Sequence, residues 1–206
     1  MTEHSTKNIT TLTGKSDRKS LRKHFYAVRA RESADEKKQG ALREALAEWL
    51  CVREVHVVGL YTPFRGEPDI VEAMLEVIRE RGAAAALPVI DDLKGGLMHY
   101  ALWNGSAEEL SPGKYGILEP LAGEQCVPDV ILSPCVAVNR AGFRLGNGGG
   151  FFDRYLRAVR LDGGRPETVA VAYEALMSDA VQAESHDEPF DWIATEAGVR
   201  PAETAE

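Results

Sequence analysis

Apolar residues recur at helical spacing in the first quarter of the chain and mostly in short, strand-like runs after it. Leu21, Phe25 and Val28 mark one face of a helix starting at Asp17, whose carboxylate can cap it. Ser33-Ala34-Asp35-Glu36 has the form of a capping box, with serine at the cap and glutamate three residues on. It opens a second helix that carries Leu42, Ala45, Leu46 and Trp49 on one face. Val55–Tyr61 is a β-branched run of the kind found in buried strands. Pro63 and Gly66 break it, and Asp69–Arg81 continues as a helix stopped by Gly82. Ala84–Ile90 is the next strand, so a strand–helix–strand unit of crossover length is present. Further strands are expected at Leu97–Trp103, Asp129–Ser133, Thr168–Tyr173 and Trp192–Thr195, a loop at Ser111–Gly116 and a helix at Phe151–Val159. This alternation predicts one α/β layered domain with a mostly parallel central sheet flanked by helices. The expected limits are a disordered polar leader over 1–15, the domain over 16–198 and a flexible tail over 199–206.

Composition agrees with a globular chain. The 206 residues are 44% hydrophobic and 27% charged, enough to bury a core without disulfides or a structural metal. The polar start lacks the apolar stretch of a signal peptide, and no apolar run approaches the roughly 20 residues a spanning helix needs. Cys51, Cys126 and Cys135 are odd in number and show no CxxC spacing, which argues against a disulfide framework or zinc knuckle. A cytoplasmic protein is expected. The net charge of −8 is unevenly spread: residues 1–50 hold 11 Lys+Arg against 7 Asp+Glu, the remainder 13 against 25. The basic excess lies in Lys15–Arg31, where Arg18, Lys19, Arg22, Arg29 and their neighbours face a single acid, Asp17. Such a segment binds a phosphate or carboxylate partner, or packs on the acidic body of its own chain. Without a zinc-finger or RNA-recognition signature, nucleic acid and membrane partners are not expected.

The most unusual stretch is Arg144-Leu145-Gly146-Asn147-Gly148-Gly149-Gly150-Phe151-Phe152-Asp153-Arg154. Four glycines in five positions let backbone amides approach an anion closely. The loop leads into the expected helix, whose N-terminal N–H groups and dipole favour phosphate. Arg144 and Arg154 flank it as candidate phosphate clamps. Asp153 either holds a magnesium ion on the phosphates or stabilises the helix start. No Lys-Ser or Lys-Thr follows the glycines, so this is not a Walker loop. Phe151 occupies the third glycine position of a dinucleotide fingerprint, which weakens that reading too.

Arg144–Arg154 closely resembles the RLGxGGGYYDR signature of the 5-formyltetrahydrofolate cyclo-ligase family. Arg18-Lys19-Ser20-Leu21-Arg22 resembles the family's basic KxxLR helix, and Gly66-Glu67-Pro68-Asp69 its folate-contacting segment. Leu87-Pro88-Val89, Gly113–Pro120 and Asp129–Pro134 follow in the family's order. His186-Asp187, Asp191 and Thr195-Glu196 complete the match, which covers about residues 17–198. The resemblance implies a fold of the ribose-phosphate isomerase and coenzyme-A transferase group. It also implies conversion of 5-formyltetrahydrofolate and ATP to 5,10-methenyltetrahydrofolate, ADP and phosphate, with Mg²⁺ as cofactor and ATP as co-substrate. A monomer acting on ATP and folate, polyglutamylated or not, is the matching expectation.

Carried over by residue, the resemblance places Arg18, Lys19, Arg22, Arg144 and Gly146-Asn147-Gly148-Gly149-Gly150-Phe151-Phe152 on ATP, with Arg144 as the catalytic group. It places Glu67, Tyr61, Trp103, Gly149 and Phe152 on the folate, and Asp153 and Asp187 on magnesium. Glu67 also suits a helix start, and Tyr61 and Trp103 also suit the core. His186 is expected to be a local hydrogen-bonding group. The chain departs from the family at Asn147, where tyrosine is usual, and at Phe151 and Phe152, commonly tyrosines. Ala137-Val138-Asn139 stands where Ala-Phe-Asp is typical. These departures keep open a second reading, a paralogue that binds nucleotide or folate without this activity or acts on another substrate.

Overall fold

A computed structural model describes residues 15–203. Along the chain run α1 (Lys15–Glu32), α2 (Glu36–Cys51), β1 (Val57–Gly59), α3 (Val71–Glu80), β2 (Ala84–Asp92) and β3 (Leu97–Trp103). Then come β4 (Leu110–Pro112), β5 (Leu118–Pro120), β6 (Gln125–Cys126), β7 (Val130–Pro134), β8 (Ala137–Val138) and β9 (Arg144–Leu145). The chain continues through α4 (Phe151–Leu161), β10 (Glu167–Val171), β11 (Trp192–Thr195) and β12 (Gly198–Pro201). Eight strands form one sheet in the order β12-β11-β10-β7-β1-β2-β3-β6. The five strands from β11 to β2 are mutually parallel, antiparallel pairing within this sheet is confined to β12, β3 and β6, and β4–β5 and β8–β9 form two separate antiparallel pairs.

Alternation along the strands feeds two helical layers. Ala85, Leu87, Val130, Leu132, Val169 and Val171 pack with α2 and α3 through Leu42, Leu46, Met74 and Ile78. Their neighbours Ala86, Ile131 and Ala170 face the other way, against Leu21, Phe25 and Val28 of α1 and Leu156 and Val159 of α4. The period of two in a buried strand thus divides one sheet between two cores. Fully burying each large aliphatic side chain contributes about 1.5–3 kcal/mol, and Leu42, Leu46, Ile70 and Leu156 reach 0% exposure.

Four expectations need correction. α1 begins at Lys15, so Asp17 lies inside its first turn and is not its cap. The cap of α2 is Asp35, whose carboxylate accepts from the Lys37 and Lys38 amides, while the Ser33 hydroxyl donates back to Ala30 O in the α1 turn. The tail expected from 199 is an antiparallel edge strand through Pro201, where a proline costs no central ladder bond. The loop expected at Ser111–Gly116 begins inside β4, which pairs with β5. Residues 1–14 and 204–206 lie outside the described residues, and with them most of the expected leader. No described helix is long and apolar enough to cross a membrane.

Candidate active site

From β1 the chain moves to β2 on one side, and the later β7 fills the other, so the β1/β7 boundary is a topological switch point. Open α/β sheets bind ligands beyond the carboxyl ends of strands at such a point. Arg29 closes this crevice from above. It is 0% exposed and donates from Nε to Arg65 O at 3.1 Å, in the segment after β1. Its Nη1 donates to Cys135 O, just past β7, at 3.3 Å and to Glu67 Oε1 at 3.4 Å.

Arg29 is the last of four residues on one face of α1. Arg18, Arg22, Tyr26 and Arg29 follow one another at spacings of four, four and three, about 16 Å of helix. Arg18 and Arg22 line the cleft, while Tyr26 and Arg29 meet segments beyond it. Both terminal nitrogens of Arg18 donate to Asp187, and Nη2 also reaches Gln182 O at 3.0 Å. Arg22 Nε donates to Gly146 O at 2.8 Å. The Tyr26 hydroxyl donates to Asn147 Oδ1 at 2.7 Å. α1 therefore runs from an acidic end at Asp187, past the glycine loop, to a buried acid at Glu67.

The glycine loop enters α4 at Gly150, a cap residue with φ 65° in the left-handed region that side chains other than glycine resist. Arg154 Nη1 turns back to donate to Gly149 O at 2.7 Å. Arg144, on β9, is buried and donates from Nη1 to Asp153 Oδ1 at 2.9 Å and to Glu188 O at 3.4 Å. The Phe190 ring lies 4.2 Å from its guanidinium carbon, and Phe152 lies 5.6 Å away. These contacts fix the guanidinium beside a cleft of about 630 Å³ lined by Arg18, Arg22, Arg144, Arg154, Arg157, Asp153, Asp187 and the loop glycines 146 and 148–150. Burial and the neighbouring Arg18 charge lower the Arg22 pKa.

Three acids, Asp153, Glu184 and Asp187, line the cleft, and a fourth, Glu67, lies buried outside its lining. Burial works against the charged form of Asp187, but the Arg18 hydrogen bond, the Glu184 amide and the Arg18 charge outweigh it, and its pKa lies below the ordinary value. Ligand atoms of Glu184, His186 and Asp187 lie within 4.8 Å of one another. Asp153 also lines the cleft, and Arg144 and the Glu188 amide both bind its Oδ1. A hard cation such as magnesium prefers oxygen donors, and these three carboxylates are donors of that kind. Glu67 is different. It is buried, and desolvation raises its pKa against the opposing pull of Arg29, the Phe64 amide and Asn147.

The expected residues divide accordingly. Arg18, Arg22, Arg144, Gly146, Gly148, Gly149, Gly150, Asp153 and Asp187 all line one cleft. Asn147 reaches from the loop to Glu67, with Nδ2 donating to Oε1 at 3.4 Å. Lys19 is exposed and does not line the cleft. Phe151 meets Tyr115 edge-on at 6.1 Å, and Phe152 packs on the α1/α4 core, where a ring without a hydroxyl is at home. Tyr61 and Trp103 are not brought to the cleft. Both are buried in the α2/α3 core, with their polar atoms committed to Pro68 O at 2.6 Å and Ser106 O at 2.9 Å. Asn139 uses both ends of its amide: Oδ1 accepts from Phe143 N at 3.0 Å and Nδ2 donates to Val181 O at 2.7 Å. An aspartate there could not make the second bond. Sequence reasoning missed the roles of Tyr26 and Arg29. Their four-four-three spacing with Arg18 and Arg22 was the available signal.

An anion cradle, fixed arginines and cation-ready carboxylates at a switch point define an α/β enzyme cleft suited to phosphoryl transfer. A further, buried acid, Glu67, is tied to the glycine loop through Asn147. The model of the 5-formyltetrahydrofolate cyclo-ligase family matches residues 14–196, and the chain belongs to that family. The 5-formyltetrahydrofolate cyclo-ligase of Mycolicibacterium smegmatis is 32% identical over 173 residues, 80% of this chain and 87% of the relative. The solution structure of 5,10-methenyltetrahydrofolate synthetase from Aquifex aeolicus superposes with a TM-score of 0.72 at 28% identity, covering 92% of this chain and 94% of that one. A 5,10-methenyltetrahydrofolate synthetase from Mycoplasma pneumoniae shares the fold, with a TM-score of 0.70 at 22% identity over 87% of this chain and 99% of that one.

Proposed function

We propose that this cleft cyclises 5-formyltetrahydrofolate to 5,10-methenyltetrahydrofolate at the expense of ATP. The observation that carries the reading is that one face of α1 joins a phosphate cradle to a buried carboxylate, so two ligands are held side by side. The formyl oxygen attacks the γ-phosphate, an O–P bond forms and ADP leaves. N10 then attacks the activated carbon and gives up its proton to solvent, a C–N bond forms and the C–O bond breaks as the oxygen departs with phosphate. Neither step needs a protein nucleophile, so positioning and charge neutralisation account for the catalysis. Arg18 and Arg22 serve the phosphates, with Lys19 at their margin. Gly146–Gly150, Phe151 and Phe152 surround the nucleotide, and Arg144 meets the transferring phosphoryl group. Glu67 accepts hydrogen bonds from the folate ring, a task for an acceptor pair. Gly149 and Phe152 border the substrate. Asp153 and Asp187, with Glu184 beside Asp187, would hold a magnesium ion, which when bound offsets phosphate charge. A monomeric unit and a cytoplasmic setting, which supplies both substrates, complete the reading.

The test is the near-ultraviolet absorbance of methenyltetrahydrofolate when purified protein meets 5-formyltetrahydrofolate and Mg²⁺. A rise that requires ATP is expected. Folded protein that binds ATP but gives no rise would overturn the reading in favour of another substrate.

A further inference from the structure

Asn147 stands where the family signature usually has tyrosine, and its surroundings give the difference a use. The ionised Glu67 carboxylate can only accept, so the amide nitrogen must face it, and the amide oxygen is left for the Tyr26 hydroxyl. The backbone beside Asn147 is anchored as well, with Gly146 O held by Arg22 and Gly149 O by Arg154. We propose that Asn147 is a positioning residue, a strut through which the glycine loop sets the orientation of Glu67, so that filling the phosphate cradle tightens folate binding. The proposal rests on the function assigned above and goes beyond it by naming the connection between the two halves of the site.

Three donors hold the Glu67 carboxylate. Arg29 Nη1 at 3.4 Å comes from α1, and the Phe64 amide at 3.0 Å comes from the segment after β1. The Asn147 amide is the third, and it alone sits on the loop that wraps phosphate. A loop drawn onto phosphate therefore carries this donor with it, while the other two stay in place. Coupling of this kind is reciprocal: if nucleotide tightens folate binding, folate tightens nucleotide binding by the same factor. The other groups facing Glu67 are Tyr61 and the Cys135 thiol, whose own pKa burial pushes up to about 12, so both are neutral near pH 7. Arg29 supplies the positive charge in this pocket, and Asn147 supplies a neutral donor whose loss leaves the charge count unchanged.

The experiment measures the affinity of the whole protein for 5-formyltetrahydrofolate, with and without a non-hydrolysable ATP analogue and Mg²⁺. The wild-type chain should bind folate at least about fivefold more tightly with the analogue present, the lower end of ordinary coupling. Asn147→Ala should weaken folate binding about tenfold, the loss of one hydrogen bond to a charged group, and bring the coupling ratio close to one. In turnover the variant should raise KM for folate and, by the same reciprocity, raise KM for ATP at saturating folate by the lost coupling factor. Tyr26→Phe removes only the brace and should act in the same direction, more weakly. Asn147→Asp sets two carboxylates face to face, so its penalty should grow as pH rises. Unchanged folate affinity and coupling in Asn147→Ala, or a rise in KM for ATP with folate affinity unchanged, overturns the strut. If the wild-type protein binds no 5-formyltetrahydrofolate, the functional reading fails. The strut is then judged on ligand-free protein, by the pH titration of the Glu67 carboxyl carbon in NMR. Asn147→Ala should move that midpoint upward, and an unmoved midpoint rejects the strut independently of any substrate.

Discussion

Replacing Arg29 by methionine keeps the length and apolar stem of the side chain and removes its charge and donors. In the folded chain Arg29 is 0% exposed and Glu67 6%. Removing one partner of a buried ion pair costs about 3–5 kcal/mol, because the other charge is left unpaired. The carbonyls of Arg65, Cys135 and Phe64 lose their donor as well, at 3.1, 3.3 and 3.5 Å. Glu67 limits the damage by taking up a proton, which its raised pKa already favours. The lower end, about 3 kcal/mol, is therefore expected, or roughly 6–12 °C in Tm for a chain of this size. Glu67→Gln alone should cost less, near 1 kcal/mol, since Arg29 retains its carbonyls. The double variant should then be more stable than the sum of the two singles implies, by about 1 kcal/mol or more. Urea unfolding of the four proteins near neutral pH measures all three values. The pH dependence has a definite sign. A carboxyl whose folded pKa is raised binds a proton more readily in the native state, so its ionisation lowers stability as pH rises from the unfolded pKa through the folded one. Loss of Arg29 carries that window higher, and the deficit of Arg29→Met should shrink on going down to about pH 5. A cost below about 1 kcal/mol, or strictly additive singles, would refute the view that these two groups neutralise each other in the crevice.

Two further outcomes test the nucleotide half. Arg144→Ala should reduce kcat by about 10²–10³, the scale of one lost charge-stabilising donor, and Arg144→Lys should recover only part of it because one ammonium does not reproduce the fork held between Asp153 and Glu188; full retained turnover would remove Arg144 from the reaction. Gly96→Ala lies outside every recognisable motif, yet a Cβ there, at φ 65°, would fall 2.0 Å from Arg154 Nη1 and 3.1 Å from Gly149 O. It should displace the clamp on the glycine loop and raise KM for ATP several-fold with a stability loss of about 1–2 kcal/mol, and an unchanged KM for ATP would mean that Arg154 does not shape the loop.

Where the physics is local, the sequence was a sufficient guide. The strands at Leu97–Trp103 and Trp192–Thr195 have the expected limits, and the helix starting at Phe151 follows directly from the glycine cluster. The capping of α2 was misplaced because two side chains competed for the same few amides, and the charged Asp35, directly before the helix, took them. β12 was missed because glycine and proline mark loops everywhere except at a sheet edge. The site residues divide by the same logic. A glycine run advertises itself, but nothing local distinguishes Arg29, fully buried, from Arg31, exposed on the same basic stretch. Tyr61 and Trp103 were aromatic residues at strand ends, and only the packing of α2 and α3 decides that they belong to the core.

The helix that carries Arg18 and Arg22 into the cleft is also the part of the described fold that leaves the ribosome first. Its partners lie far along the chain: Cys135 is 106 residues from Arg29, Asn147 is 121 from Tyr26 and Asp187 is 169 from Arg18. Until those residues emerge, α1 has no wall to hold and its arginines have no carbonyls or carboxylates to meet. Contacts so distant in sequence form late and slow the search for the native state. The growing chain can therefore assemble much of its sheet while the nucleotide end of the cleft is still open, and binding competence arrives only when the segment around Asp187 has been made.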